Sequence, residues 1–192
     1  MHADGSIARY KARLVAQGFS QVEGEDSFET SAPVARMSTL RTVFSVAAER
    51  DFELVGMDVD AAYLNAPVEE ELYVSLPVEF SPHSSSKPFV RRLRRSLYGL
   101  KQSGKNWYNS LDQFLTTIPG LTLTRSAVDP CLYVSCDEGG DTELLVAVYV
   151  DDIAVAGTDQ KVKAFKKAIQ GRFKTKDLGA LSQMLGIQEV GI

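Results

Sequence analysis

Two adjacent aspartates, Asp151 and Asp152, are the strongest candidates in this sequence for a reactive or metal-binding site. Seven apolar residues (144–150) run directly into this pair, and four more (153–156) follow it. Such runs are typical of buried strands, so the pair is predicted at the tip of a tight hairpin, where Asp tolerates a left-handed backbone. Adjacent carboxylates repel unless a cation screens them, and Mg²⁺ suits that role. A solvated turn explains the pair equally well.

A third carboxylate is available from an earlier segment. If the segment at residues 52–65 is extended, Asp58 and Asp60 lie on one face of a strand, while Val55, Met57 and Val59 lie on the other. In the functional interpretation this strand is adjacent to the hairpin and Asp58 completes a set of three acids. In the alternative, the strand is half-exposed and both acids are solvated. Spacing alone does not decide between them.

Positively charged side chains cluster in two places. Residues 7–18 alternate between polar and apolar types, which predicts a strand that either offers Lys11 and Arg13 to phosphates or is an exposed edge guarded by charge. Residues 87–105 form the best local candidate for contacting a phosphate backbone. Their basic side chains are Lys87, Arg91, Arg92, Arg94, Arg95, Lys101 and Lys105.

The surrounding elements are predicted from the spacing of apolar residues. Three helices are indicated: one at 39–50 capped by Ser38, one that carries Trp107 and ends at Pro119, and a last one capped by Thr158. Strands are expected at 131–134 and 142–150. Intermixed helices and strands indicate an α+β fold, with an antiparallel sheet and helices on one side.

Composition bounds the possibilities. The 192 residues suit one domain, and a hydrophobic content of 44% is enough for a core. A net charge of −4 gives no global signal for nucleic acid, so any such signal must be local. Cys131 and Cys136 form neither a disulfide framework nor a zinc site and are expected to be reduced. No apolar run reaches the length of a membrane span, and no membrane partner is expected.

Six stretches, in order along the chain, resemble one branch of the reverse transcriptases, the copia-type (Pseudoviridae) long-terminal-repeat retrotransposons. They lie at residues 9–19, 32–36, 57–65, 96–102, 149–157 and 176–179. Within the fifth, Tyr149-Val150-Asp151-Asp152 resembles the polymerase motif. One such motif is weak evidence, but the ordered set covers nearly all of the chain. Ala66 and Gly104 depart from the residues common in the family, and neither departure removes a catalytic group.

The resemblance implies a right-hand polymerase fold, in which the palm is an antiparallel sheet backed by helices. Residues 1–192 are expected to form a fragment of the reverse transcriptase domain, with about 1–50 as partial fingers and about 51–192 as mainly palm. The thumb, the ribonuclease H domain and the integrase are expected to lie outside this chain. Because the thumb grips the primer and template, low processivity is expected.

The resemblance also implies roles for the acidic residues. Asp58 matches the first metal ligand, and Asp151 and Asp152 match the pair on the hairpin. The backbone carbonyl of Val59 matches a further metal contact. Two Mg²⁺ ions, or Mn²⁺ as an alternative, are the implied cofactors, and two-metal transfer of a nucleotide to a primer 3′-hydroxyl is the implied chemistry.

Four more residues match positions around the incoming nucleotide. Lys11 and Arg13 resemble residues that hold the triphosphate, and Tyr63 resembles the aromatic that lies under the sugar and excludes a 2′-hydroxyl. Gln102 resembles a residue near the incoming nucleotide. The implied partners are an RNA or DNA template–primer, a dNTP and the rest of a Pol polyprotein, inside the cytoplasmic virus-like particle of a retroelement.

Two other functions are considered beside the polymerase. A degraded or co-opted fragment would keep the palm fold without catalysis, although three intact carboxylates argue against long decay. A small RNA-binding module would need exposed aromatic residues on its sheet. Tyr63 and Tyr149 are too few to support that function.

Overall fold

The computed structural model describes residues 12–77, 80, 89–181, 183–184 and 187–188. Within these residues the chain forms three α-helices: α1 (Met37–Glu49), α2 (Ser103–Leu115) and α3 (Asp159–Arg172). The strands of the described residues are β1 (Glu53–Val59), β2 (Tyr73–Ser75), β3 (Val90–Arg92), β4 (Thr124–Arg125), β5 (Leu132–Cys136), β6 (Thr142–Tyr149), β7 (Asp152–Gly157), β8 (Thr175–Ala180), β9 (Gln183–Met184) and β10 (Ile187–Gln188). None of the helices in this described part is long and apolar enough to cross a membrane.

A six-stranded antiparallel sheet forms the centre, in the order β4-β5-β6-β7-β1-β8. The strands β2 and β3 pair as a separate ribbon, and β9 pairs with β10. The mixed α and β content and the antiparallel pairing confirm the predicted class. The early strand β1 lies between β7 and β8, so a residue from the first third of the chain meets the hairpin that begins near residue 142.

The two faces of the sheet carry different helices. Trp107 of α2 and Phe165 of α3 pack in one buried cluster with Ile153, whereas Leu40 of α1 packs in a second cluster with Ala154. Neighbouring residues of β7 therefore face opposite layers. The prediction that helices lie on one side is wrong, because β7 is buried on both faces and both faces need apolar cover.

The start of α1 and the end of α2 differ from the predicted positions. The first helix begins at Met37, and its N-cap residue is Arg36, so the predicted cap by Ser38 is wrong. The helix α2 ends at Leu115, four residues before Pro119. Thr158 stands at the N-cap of α3 as predicted, but its side chain makes no capping hydrogen bond.

Asp129, from the loop before β5, caps the N-terminus of α1 in place of Ser38. Its Oδ2 accepts hydrogen bonds from the Arg36 N–H at 2.9 Å and from the Thr39 hydroxyl at 2.5 Å. Its Oδ1 accepts from the Cys131 N–H at 2.9 Å. A carboxylate at a helix N-terminus is also favoured by the helix dipole. One buried acid thus joins α1 to the start of β5.

Candidate metal and nucleotide site

The hairpin of β6 and β7 closes with a two-residue turn. The last pair of the ladder is Tyr149 with Asp152, so Val150 and Asp151 form the connection. Val150 has the left-handed backbone, with φ of +58°. The predicted hairpin is confirmed, but the prediction that aspartates supply the left-handed residue is wrong. Hydrogen bonds from Trp107 and Val59 hold this turn. Its conformation therefore does not depend on the backbone preferences of Val150 and Asp151 alone.

Asp58 lies directly opposite Asp152 on neighbouring antiparallel strands. The Val59 N–H donates to the Asp151 carbonyl at 2.9 Å. Because ladder hydrogen bonds alternate, Asp58 and Asp152 form a non-hydrogen-bonded pair, a class with Cα atoms about 4.5 Å apart and side chains on the same face. Asp58 therefore comes from the strand adjacent to the hairpin, as in the functional one of the two interpretations that spacing left open. Its role as a metal ligand stays a prediction.

Two neighbouring carboxylates affect the ionisation of Asp152. Burial raises the pKa of Asp152, and the negative charges of Asp151 and Asp58 raise that pKa further. No described residue donates a hydrogen bond to the Asp152 carboxylate. The charged form of Asp152 is therefore unfavourable without a cation beside it.

A lysine from β8 is the cation that the structure places there. The Lys176 ammonium lies 2.7 Å from Asp58 Oδ2 and 2.5 Å from Asp60 Oδ1, and Lys174 lies 3.3 Å from Asp60 Oδ2. Hydrogen bonds to Asp58 and then Asp60 raise the pKa of Lys176, and the hydrogen bond from Lys176 is the main cause that lowers the pKa of Asp60. Asp60 is thus an ion-pair partner of Lys174 and Lys176.

The oxygen ligands suit a hard divalent ion such as Mg²⁺ or Mn²⁺. Within residues 12–181, apart from the gaps at 78–79 and 81–88, and the few described residues beyond, no three His, Cys, Asp or Glu side chains are already arranged to hold a metal ion. Lys176 engages Asp58 instead. The backbone brings the acids together, and Lys176 is a cation that competes with an ion for the Asp58 carboxylate.

An aromatic and cationic row lies beside the turn. The Arg13 guanidinium lies 5.5 Å from the centre of the Tyr98 ring, and Tyr98 lies 5.0 Å from the Tyr63 ring at an angle of 53°. Burial raises the pKa of Tyr63, and the charge of Asp151 adds to that effect. The structure thus brings Arg13 and Tyr63 together through Tyr98. The sequence placed Tyr98 in a matching stretch without giving it a role.

Gln102 does not join this row. Its side chain is only 1% exposed, its Nε2 donates to the Asp26 carbonyl at 2.9 Å, and its Oε1 accepts from Gln21 Nε2 at 3.0 Å. The amide therefore ties the start of α2 to the loop at 21–26. Lys11 lies outside the described residues. Val59 is buried, and the metal contact predicted for its carbonyl is untested.

The basic segment divides into two parts. Its arginines Arg91, Arg92, Arg94 and Arg95 are exposed. The two lysines have partners: Lys101 donates to the Gln21 carbonyl at 2.9 Å, and Lys105 pairs with Glu29 at 2.7 Å. Lys87 lies outside the described residues. Two of the arginines also have partners, since Arg92 lies 4.0 Å from the Glu71 carboxylate and Arg95 donates to the Asn65 carbonyl at 2.8 Å. Their exposure, and not the lack of a partner, is what makes the arginines available to an external phosphate.

Comparison with known proteins adds independent evidence. A family model described as "Reverse transcriptase (RNA-dependent DNA polymerase)" matches residues 2–192. A Retrovirus-related Pol polyprotein from transposon TNT 1-94 of Nicotiana tabacum is 38% identical over 97% of the chain. Those from transposons RE2 and RE1 of Arabidopsis thaliana are 37% and 36% identical, again over 97% of the chain.

The chain covers only a small part of these relatives. It spans 14% of the tobacco polyprotein and 12% of each Arabidopsis polyprotein. The match runs through the two strands and the turn that carry Asp58, Asp151 and Asp152. The names of these relatives describe whole polyproteins, which are about seven to eight times longer than the aligned region.

Proposed function

The chain belongs to the reverse transcriptase (RNA-dependent DNA polymerase) family, and from this premise we propose that it transfers nucleotides from a dNTP to a primer 3′-hydroxyl. The observation that supports this most is the pairing of Asp58 with Asp152 on adjacent strands, with Asp151 in the turn between β6 and β7. Activity, substrates and partners are inferred for this region of a longer Pol polyprotein.

In this proposal the six-stranded sheet is the palm, and the residues up to about 50 belong to the fingers. The antiparallel sheet supports the first assignment, because two of its inner strands carry Asp58 and Asp152 and the turn between β6 and β7 carries Asp151. Rigid strands hold side chains more accurately than loops do, as a site for reacting groups requires. The exposed arginines of the basic segment would contact the phosphates of an RNA or DNA template–primer.

Asp58, Asp151 and Asp152 would hold two divalent ions, Mg²⁺ or alternatively Mn²⁺, with the Val59 carbonyl as a further ligand. Bound ions of this kind activate the attacking hydroxyl and neutralise the leaving oxygens. Lys176 would have to release Asp58 when an ion binds, because both are cations that use the same carboxylate. Asp60 would keep Lys176 nearby, since it already accepts from the same ammonium.

The row beside the turn would form the nucleotide pocket. Arg13, together with Lys11, would offset the charge of the triphosphate. Tyr63 would lie under the sugar and exclude a 2′-hydroxyl, and its contact with Tyr98 supports a fixed position for the ring. For Gln102 we propose an indirect role near the nucleotide, through the loop that its buried amide holds.

Primer extension on an RNA template with Mg²⁺ and dNTPs tests the proposal. Wild type should extend the primer, and Asp151→Asn should reduce the rate at least about 100-fold, because the variant lacks a charged metal ligand. Asp141→Asn is the matched control, because Asp141 precedes the opposite end of β6 and is 79% exposed. Equal extension by wild type and Asp151→Asn would show that the activity does not come from this site.

A non-catalytic fragment is the second candidate. It is favoured by the ion pair between Lys176 and Asp58, which occupies a carboxylate that metal would need. Calorimetry with dNTP in the presence and absence of Mg²⁺ distinguishes the two. Magnesium-dependent binding supports the polymerase, and no binding under any condition supports the non-catalytic fragment.

A further inference from the structure

The turn between β6 and β7 has a conformation that its sequence does not favour. Val150 is β-branched and has φ of +58°, where glycine is usual for the first residue of such a two-residue hairpin turn. Residues held in this region persist only where the surrounding structure fixes them. Contacts from residues around Val150 must therefore hold the turn. Because Asp151 follows Val150 directly, the same contacts affect the position of Asp151.

Two hydrogen bonds from different elements fix this turn. The Trp107 indole N–H donates to the Val150 carbonyl at 2.7 Å, and the Val59 N–H donates to the Asp151 carbonyl at 2.9 Å. The Val150 carbonyl and the Asp151 N–H belong to one planar peptide unit. Holding that carbonyl therefore sets the plane from which the Asp151 side chain departs.

Trp107 is itself held rigidly. It is 2% exposed, and its ring lies edge-on to Phe173 with centres 5.2 Å apart. Phe114, two turns further along α2, makes a similar edge contact with Phe173 at 5.3 Å. Trp107 and Phe114 thus share one packing partner, but of these two residues only Trp107 donates a hydrogen bond to the turn among the contacts of the described residues.

We propose that Trp107 is a positioning residue for the reaction proposed above: its indole N–H holds the peptide between Val150 and Asp151, and so directs the Asp151 carboxylate toward a divalent ion. The inference rests on the proposed function, because it assigns Trp107 its effect through a metal ligand. Trp107 does not touch the substrate or the ion. Its contribution should appear in metal affinity and turnover, beyond what the packing of its ring provides.

Trp107→Phe separates the N–H from the packing, since it keeps an aromatic ring and removes the donor. Titration with Mn²⁺, followed by electron paramagnetic resonance, should show a dissociation constant raised about fivefold to tenfold, which is the loss expected for one hydrogen bond. Phe114→Leu is the matched control, because it disturbs the same contact with Phe173 and leaves the indole in place. Its Mn²⁺ affinity should stay within about twofold of wild type.

A second readout uses the fact that the chain contains one tryptophan. Its single indole ¹⁵N–¹H resonance should shift as Mg²⁺ is added to wild type, and should not shift in Asp151→Asn. Equal Mn²⁺ affinity in wild type and Trp107→Phe, or equal losses in Trp107→Phe and Phe114→Leu, would overturn the inference alone. Failure of wild type to bind Mn²⁺ would overturn the proposed function together with it.

Discussion

Two aspartates of this molecule, Asp129 and Asp152, have opposite surroundings. Asp129 is 2% exposed and accepts hydrogen bonds from Arg36, Thr39 and Cys131. Asp152 is partly buried, faces the charges of Asp58 and Asp151, and receives no hydrogen bond from any described residue. Burial pulls the pKa of Asp129 upward, but its hydrogen bonds outweigh burial and lower it, whereas burial and like charges raise the pKa of Asp152.

In its ionised form Asp129 stabilises the fold, whereas ionised Asp152 destabilises it. Donors around Asp129 favour its charged form, so the folded state gains from the ionised carboxylate. Around Asp152 the charged form is disfavoured, and only an added cation would reverse this. Carboxylates whose charged form is unfavourable alone and favourable beside a cation have the electrostatics expected of a metal site.

The largest expected effect is a difference in the free energy of unfolding between Asp129→Asn and Asp152→Asn, two substitutions that keep the shape of the side chain. Asp129→Asn turns one oxygen into a donor that must face the N–H of Arg36 or Cys131, and should lower the free energy of unfolding by about 3 kcal/mol. Asp152→Asn removes a repulsive charge and should leave the stability unchanged or raise it. Urea denaturation without metal measures both. A loss at Asp152 as large as that at Asp129 would break the distinction.

The next effect is stabilisation by metal. A ligand present at 100 times its dissociation constant stabilises a folded protein by about 2.7 kcal/mol. Wild type and Asp129→Asn should both gain about this amount from Mn²⁺ at such a concentration, although they start from different stabilities. Asp152→Asn should gain much less at the same concentration. Equal gains in all three proteins would place the ion elsewhere.

The sequence predicted the parts of this arrangement that depend on local pattern. The continuous apolar run that became β6 predicted a buried strand, and the matching stretches favoured a position for Asp58 beside the hairpin, which spacing alone had left open. The cap of α1 did not, because Asp129 comes from about 90 residues along the chain. Ser38 looked suitable locally, but a distant carboxylate took its place.

The site shows the same limit. The left-handed residue of the turn was expected to be an aspartate, since Asp tolerates that conformation, but it is Val150. Trp107 and Val59 hold that turn through contacts that no spacing rule contains. Lys176 appeared only within a matching stretch, and its contact with Asp58 spans 118 residues. Gln102 gave no sign in the sequence that its amide would be buried.

A smaller effect should come from Lys176→Met. Removing the ammonium frees Asp58 and removes a positive charge that competes with the ion, so Mn²⁺ affinity should rise about threefold, the scale of a partly exposed ion pair. Lys163→Met is a suitable control, because Lys163 pairs with Asp159 on the exposed surface of α3. A fall in Mn²⁺ affinity in Lys176→Met would contradict the competition between Lys176 and the ion.

The pH dependence of stability should differ in sign between the two acids. The folded pKa of Asp129 lies below its ordinary value of 3.8, so its contribution is present above pH 3.8 and is lost as the pH falls through the folded pKa. The folded pKa of Asp152 lies above 3.8, so its contribution is present below pH 3.8 and is lost as the pH rises through the folded pKa.

Metal-free urea titrations between about pH 3 and 6 measure this difference. The stability of wild type relative to Asp129→Asn should shrink on acidification, while its stability relative to Asp152→Asn should grow. Parallel curves for the two variants would mean that the two carboxylates have similar surroundings in solution.

Anomalous scattering from crystals of wild type soaked in Mn²⁺ would locate the ion itself. Anomalous peaks are expected among the carboxylates of Asp58, Asp151 and Asp152, with the Lys176 ammonium withdrawn from Asp58. Peaks elsewhere on the surface, with Lys176 still bound to Asp58 at saturating Mn²⁺, would contradict the proposed metal site.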